Sequence, residues 1–234
     1  MLRRLRWTIS RQVQSLELAP DRRHAFVSLY RSNQPAELYN VNLTTGRRRK
    51  LANGISPAVS PDKTRLAYVR TELRGDIKYR TALVIRTLRT GETRSLALGP
   101  RVPMDTPPAL VINWSPDSRT IAARDDSVVR LVDVASAVDF PSQPELPRGE
   151  TAPAFLNSTT LVVQSGCCIG PQQLTALDLR SGERTSFAML SSPVEQVRRV
   201  RTGTLLVVTA LRELVVVSRG RMHVIARGIA AAAP

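Results

Sequence analysis

Ser60-Pro61-Asp62-Lys63-Thr64-Arg65-Leu66-Ala67-Tyr68-Val69 is the stretch that decides the fold of this chain. Proline presets φ for the first corner of a turn, and an aspartate behind it accepts hydrogen bonds from the backbone amides that follow. The apolar run Leu66 to Val69 then reads as a strand. Outward from it, Ala82 to Leu88 is a second apolar stretch, closed by Thr90-Gly91 before a further short strand. Glycine at such a corner supplies a positive φ without steric cost, which is a hairpin signal.

The same unit recurs. Ala19-Pro20-Asp21 precedes Ala25-Phe26-Val27, and Ser115-Pro116-Asp117 precedes Ile121-Ala122-Ala123. Weaker copies are Leu156-Asn157-Ser158 before Leu161-Val162-Val163, and Arg201-Thr202-Gly203 before Leu205 to Val208. The register positions 21, 62, 117, 157 and 201 are separated by steps of 41, 55, 40 and 44. The second element keeps phase with the first. It is Glu37 to Leu43 with Thr45-Gly46, Gln173 to Leu179 with Ser181-Gly182, and Glu213 to Val217 with Arg219-Gly220. In the third unit Val128 to Val134 runs into Ala135-Ser136-Ala137, with no glycine. Four antiparallel strands per repeat of about 40 to 45 residues make the blade of a β-propeller. A single blade cannot bury both faces of its sheet, so repeats must stack.

The expected architecture is therefore all-β, with about five visible four-stranded antiparallel blades over residues 11–50, 51–107, 108–150, 151–190 and 191–228. Residues 11–228 form one propeller domain in this reading and 229–234 a tail. Residues 1–10 are an N-terminal strand resembling the outer strand Arg47 to Leu51, suited to closing a ring by completing another blade's sheet. The repeated aspartates Asp21, Asp62 and Asp117 read as turn-formers rather than catalytic acids, and Trp114 as packing between blades.

Ser60-Pro61-Asp62-Lys63-Thr64-Arg65-Leu66-Ala67-Tyr68, with Leu88-Arg89-Thr90-Gly91, resembles the WD-like repeat of TolB-type propellers. Ser115 to Ala122 and Ala19-Pro20-Asp21 are similar to it too, and the pattern extends over residues 11–228. The resemblance implies a ring of six blades and an exported protein. Five units are visible here, so the ring is either small and closed by packing or part of a larger propeller. Such propellers serve as adaptors, sensor domains and enzyme appendages, so the motif specifies the fold better than the function.

Composition narrows the chemistry. The chain has 234 residues, 34 Lys plus Arg against 19 Asp plus Glu, a net charge of +15, and 42% hydrophobic residues, which is globular and not disordered. Only three of the 34 cations are lysines (Lys50, Lys63, Lys78), a skew that a GC-rich coding sequence also produces. No window reaches a membrane-spanning length; the best candidate, Leu205 to Val217, is interrupted by Arg212 and Glu213. Met1 to Arg6 is basic, but Trp7 to Gln14 is not an apolar export core, so a cytoplasmic location is expected. An export segment upstream of this sequence would make it an extracytoplasmic domain. The adjacent Cys167 and Cys168 lack disulfide or metal-ligand spacing and read as reduced thiols. Two histidines, His24 and His223, offer little for a metal or a catalytic triad.

Function is expected in the channel-face loops, those between the two central strands of each unit and the links between blades, Leu98 to Pro108 and Asp139 to Ala152. These hold the candidate partner-binding cations Arg31, Arg70, Arg74, Lys78, Arg80, Arg124 and Arg212. Two loops exceed what a blade needs: Arg70 to Arg80, and the glycine-bracketed Ser165 to Pro171. Arg74-Gly75-Asp76 inside the first is read as a chance tripeptide. No phosphate loop, H-E-x-x-H, G-x-S-x-G or paired C-x-x-C occurs, and aromatics are 4% of residues, too few for the aromatic floor of a sugar site. The reading is a non-catalytic scaffold or sensor domain, without cofactor, that binds an acidic protein or peptide. Its rivals are an electrostatic binder of nucleic acid or another polyanion, and a propeller enzyme or enzyme appendage.

Overall fold

The computed structural model describes residues 12–30, 34–74, 78–101, 111–125, 128–139, 151–165, 171–218 and 220–228. These residues form strands and turns, with no helix long and apolar enough to cross a membrane. Two compact units divide the chain, one before and one after residue 110. The N-terminal strand expected over 1–10, the tail 229–234, Arg31 and the two cysteines lie outside the described residues.

The first unit is a seven-stranded antiparallel sheet in sequence order: β1 (Gln12–Leu18), β2 (His24–Tyr30), β3 (Glu37–Asn42), β4 (Arg48–Val59), β5 (Arg65–Arg74), β6 (Lys78–Thr87) and β7 (Thr93–Arg101). Strand β4 is shared. Its first half pairs β3, and from Gly54 onward it pairs β5. The strand can bend there because Gly54 has no side chain: a Cβ would lie 2.8 Å from the Val69 carbonyl oxygen and 2.9 Å from the Tyr68 ring. A register shift between Ile55 and Ala58, with Ser56 at a φ of 53°, completes the bend, and the Ser56 amide donates to Ser15 Oγ on β1 at 3.1 Å. Across this bend Phe26 and Leu38 on one side pack with Leu66, Tyr68 and Val84 on the other.

The second unit holds three four-stranded antiparallel sheets. They are β8 (Ile112–Trp114) to β11 (Val138–Asp139), with β9 (Thr120–Asp125) and β10 (Val128–Asp133) between; then β12 (Thr151–Phe155), β13 (Thr160–Ser165), β14 (Gln172–Asp178) and β15 (Arg184–Leu190); then β16 (Val194–Arg201), β17 (Thr204–Thr209), β18 (Leu214–Ser218) and β19 (Arg221–Ala226). The middle sheet is sandwiched. One face sets Phe155, Leu161 and Val163 against Ala122, Val129 and Leu131 of the preceding sheet. The other sets Val162, Leu174 and Ala176 against Leu205, Val207, Val215 and Val217 of the following sheet. Face-to-face stacking of twisted four-stranded sheets is the repeat solution anticipated from the sequence.

The Pro-Asp turns share one geometry. Ser60 Oγ donates to Asp62 Oδ1 at 2.5 Å and takes the Arg65 amide at 3.0 Å, while the Thr64 amide donates to Asp62 Oδ1 at 2.9 Å. Ser115 and Asp117 repeat this at 2.6, 2.9 and 3.1 Å. Burial works to raise the Asp62 and Asp117 pKa values, but the hydrogen bonds from Ser60 and Thr64, and from Ser115 and Arg119, outweigh it and hold both below 3.8. Each turn places a residue other than glycine in the left-handed region: Arg22 (φ 54°), Lys63 (φ 62°) and Ser118 (φ 62°). In the third repeat Ala137, at φ 56°, occupies the corner that glycine holds elsewhere, with its amide on the Asp133 carbonyl at 2.9 Å.

Candidate functional site

The link between the second and third strands of each four-strand group lies at the end of the sheet opposite to the Pro-Asp turn, because successive strands alternate direction. The structure alters one of these links. Of the expected loop Arg70 to Arg80, the described residues 70–74 and 78–80 continue the ladder: Arg70 pairs Ala82, Thr71 pairs Thr81, Glu72 pairs Arg80, Leu73 pairs Tyr79 and Arg74 pairs Lys78. Charged residues alternate with uncharged ones along both arms, Arg70, Glu72 and Arg74 on β5 and Lys78 and Arg80 on β6, which is the period of two of a paired strand. The result is an extension of the sheet in place of the expected loop, a β5–β6 ribbon whose β6 arm also pairs β7 from Thr81–Gly99 to Tyr79–Arg101.

Four of the seven candidate cations share this ribbon. Arg70, Glu72 and Arg74 occupy alternate positions on β5, and Arg80 and Lys78 lie across from Glu72 and Arg74 on β6. The Arg70 Nε lies 3.0 Å from Glu72 Oε1, with both side chains substantially exposed, so this pair contributes little to stability but fixes where two charges stand. Arg80 is exposed. At the base of the ribbon Thr71 and Thr81 are buried, and Thr71 Oγ1 has no hydrogen-bond partner among the described residues.

The remaining candidates are dispersed. Arg124 is the next-to-last residue of β9, opposite Val129. Arg212 sits in the turn between β17 and β18, at a φ of 59°, exposed, with its amide on the Thr209 carbonyl at 2.8 Å. Its neighbour Glu213 is engaged elsewhere, accepting from Ser191 Oγ at 3.1 Å and from Arg227 Nε at 3.2 Å. Sequence reasoning missed a buried pair at the corresponding end of the middle sheet. Gln164 Nε2 donates to Gln172 Oε1 at 3.0 Å, and the Val194 amide donates to Gln164 Oε1 at 3.1 Å. Two amides flanking a glycine-rich link were the available signal, since a buried amide side chain must find partners. Among the described residues no group of three His, Cys, Asp or Glu side chains assembles as a metal-binding set.

No protein-family model and no curated protein matches the sequence. Solved structures do. TolB from Acinetobacter baumannii aligns with a TM-score of 0.62 and 14% identity over 91% of this chain, and this chain spans 53% of that TolB. The fold is that of a TolB-like β-propeller. An oligogalacturonate lyase in complex with manganese aligns with this propeller at a TM-score of 0.58 and 15% identity, over 92% of this chain and 65% of the lyase. A puromycin hydrolase, solved as an S511A mutant with the ligand PGG, gives 0.60 and 17%, over 92% and 37%. These last two correct the expectation of a non-catalytic chain. Absence of familiar active-site motifs is no argument against catalysis in a fold that these enzymes share with this chain at 15% and 17% identity, because fold and chemistry are separable.

Proposed function

We propose that this propeller is a binding domain that seats an acidic protein or peptide segment against the β5–β6 ribbon. One observation carries the reading: the ladder register from Arg70–Ala82 to Arg74–Lys78 puts four cations at neighbouring positions on the same two strands as a single described carboxylate, Glu72. A hydrogen-bonded ribbon loses less conformational freedom on binding than a loose loop would. Arginine forks match carboxylates bidentately, and a field of one sign steers an oppositely charged partner and sets the register of docking. The overall charge of +15 reinforces the same attraction at long range.

Fluorescence anisotropy with a labelled Glu/Asp-rich peptide at physiological salt tests this. Saturable binding that weakens about tenfold in R70S/R80S is expected, since each of the two exposed charge contacts is worth up to about 1 kcal/mol. Binding that is unchanged in that variant would remove the ribbon from the site. A DNA or RNA oligonucleotide bound in place of the peptide, with affinity falling steeply as salt rises, would replace the reading with polyanion recognition.

A further inference from the structure

The last sheet carries a cationic cleft of about 850 Å3 at the end away from Arg212, lined by Arg201, Thr204, Ser218, Arg221 and His223 together with the 202–203 turn. The strand register explains its composition. Arg201 pairs Thr204, Thr204 pairs Ser218, and Ser218 pairs Arg221, so one row across all four strands reads Arg, Thr, Ser, Arg. Neighbouring strands stand about 4.8 Å apart, so the two arginine backbones are separated by about 14 Å, and two extended guanidinium arms can close that gap from both sides. Between them, Thr204 Oγ1 and Ser218 Oγ lie 3.2 Å apart, and Arg201 Nε already leans in to Thr204 Oγ1 at 3.4 Å. His223 stands one strand pairing beyond Met222 on β19, opposite Val216. None of the lining residues is acidic.

We propose that this cleft binds a phosphate group. The donors converge from three directions: a guanidinium from each flank and two hydroxyls from the floor. A tetrahedral oxyanion presents oxygens in all of those directions, whereas a planar carboxylate presents two oxygens in one plane. Beyond the hydroxyls on the same face stand the half-buried Leu206 and Val216, which pair with each other and offer no competing charge. The site belongs to a different sheet and a different strand end from the ribbon, and does not depend on its function.

The test is an amide NMR titration of the full chain with inorganic phosphate at constant ionic strength, with O-phosphoserine, sulfate and acetate as parallel arms. Saturable shifts confined to Gly203, Thr204, Ser218 and Arg221 are expected, weakened about tenfold in R201Q and in R221Q and unchanged in R70Q. Tighter binding of O-phosphoserine than of the free ion assigns the cleft to phosphate esters; equal binding assigns it to the ion itself. The proposal fails if no saturable shift appears, if shifts follow all arginines alike, if acetate reproduces them, or if R201Q/R221Q leaves them intact. The signals of β13 and β14 report whether each variant is folded.

Discussion

The sheets β12–β15 and β16–β19 are written in nearly the same sequence language but live in different surroundings. Each has two central strands of near-continuous apolar residues, Leu161-Val162-Val163 with Leu174 to Leu177 in the first, and Leu205 to Val208 with Leu214 to Val217 in the second. Such runs belong to strands covered on both faces. In the first sheet they are: Leu161, Val162, Val163, Leu174 and Leu177 are all at most 1% exposed. In the second only Leu205, Val207, Val215 and Val217 are buried, while Leu206, Val208, Leu214 and Val216 are half-buried and Val200 and Ile225 are 62% and 57% exposed. The difference teaches that an apolar strand states a capacity for burial, which only a neighbouring sheet fulfils.

Truncation tests this most strongly. L205A should cost about 3 kcal/mol by urea unfolding, because a fully buried leucine leaves a cavity, whereas L206A one position along should cost about 1 kcal/mol. Equal losses would break the comparison by showing that the second face is covered in solution. The hairpin corners provide a control that should not distinguish the sheets. Gly182 and Gly220 have φ values of 75° and 74°, so G182V and G220V should each cost about 2 kcal/mol, a local backbone strain indifferent to what lies on the faces. Unequal costs would mean the corners sense their surroundings. In the preceding sheet A137G should raise stability by about 0.5 kcal/mol by relieving the same strain at φ 56°, offset in part by the added freedom of the unfolded chain.

The smallest effect is a pH dependence that only one of the two sheets has at this corner. Amides of Ser181 and Arg180 donate to Asp178 and hold its pKa below 3.8, whereas the corresponding strand end of the last sheet is Ser218. A depressed carboxylate pKa contributes stability that is present above the unfolded value, near pH 4, and is lost as pH falls through the lower folded value. D178N should flatten that part of the stability curve below pH 4 when unfolding is followed by fluorescence. An unaltered acid limb would show that Asp62, Asp117 and the other turn aspartates carry it instead.

Much of this was legible in the chain of residues. Asp62 and Asp117 announced their turns, the glycines at 46, 91, 182 and 220 their corners, and the strands between followed from apolar runs. Less legible were the left-handed Lys63 and Ser118, since the aspartate hydrogen bonds that offset their strain exist only once the turn has closed. The continuous β4 was hidden because its bend depends on the approach of Val69 and Tyr68 to Gly54. The candidate cations were readable as charges, but not as a ribbon, because cross-strand pairing such as Glu72 with Arg80 is a register and not a local preference.

The sequence by itself determined the repeat, the all-β class, the turns and the excess of positive charge, since each depends on a residue's own conformational preference or ionisation. Only the tertiary structure decided which strand faces are covered, which arginines share a ribbon, and which arginines and hydroxyls fall into one row across β16–β19. Those outcomes depend on residues far apart in the chain meeting at a particular register, and no short window of sequence contains both partners.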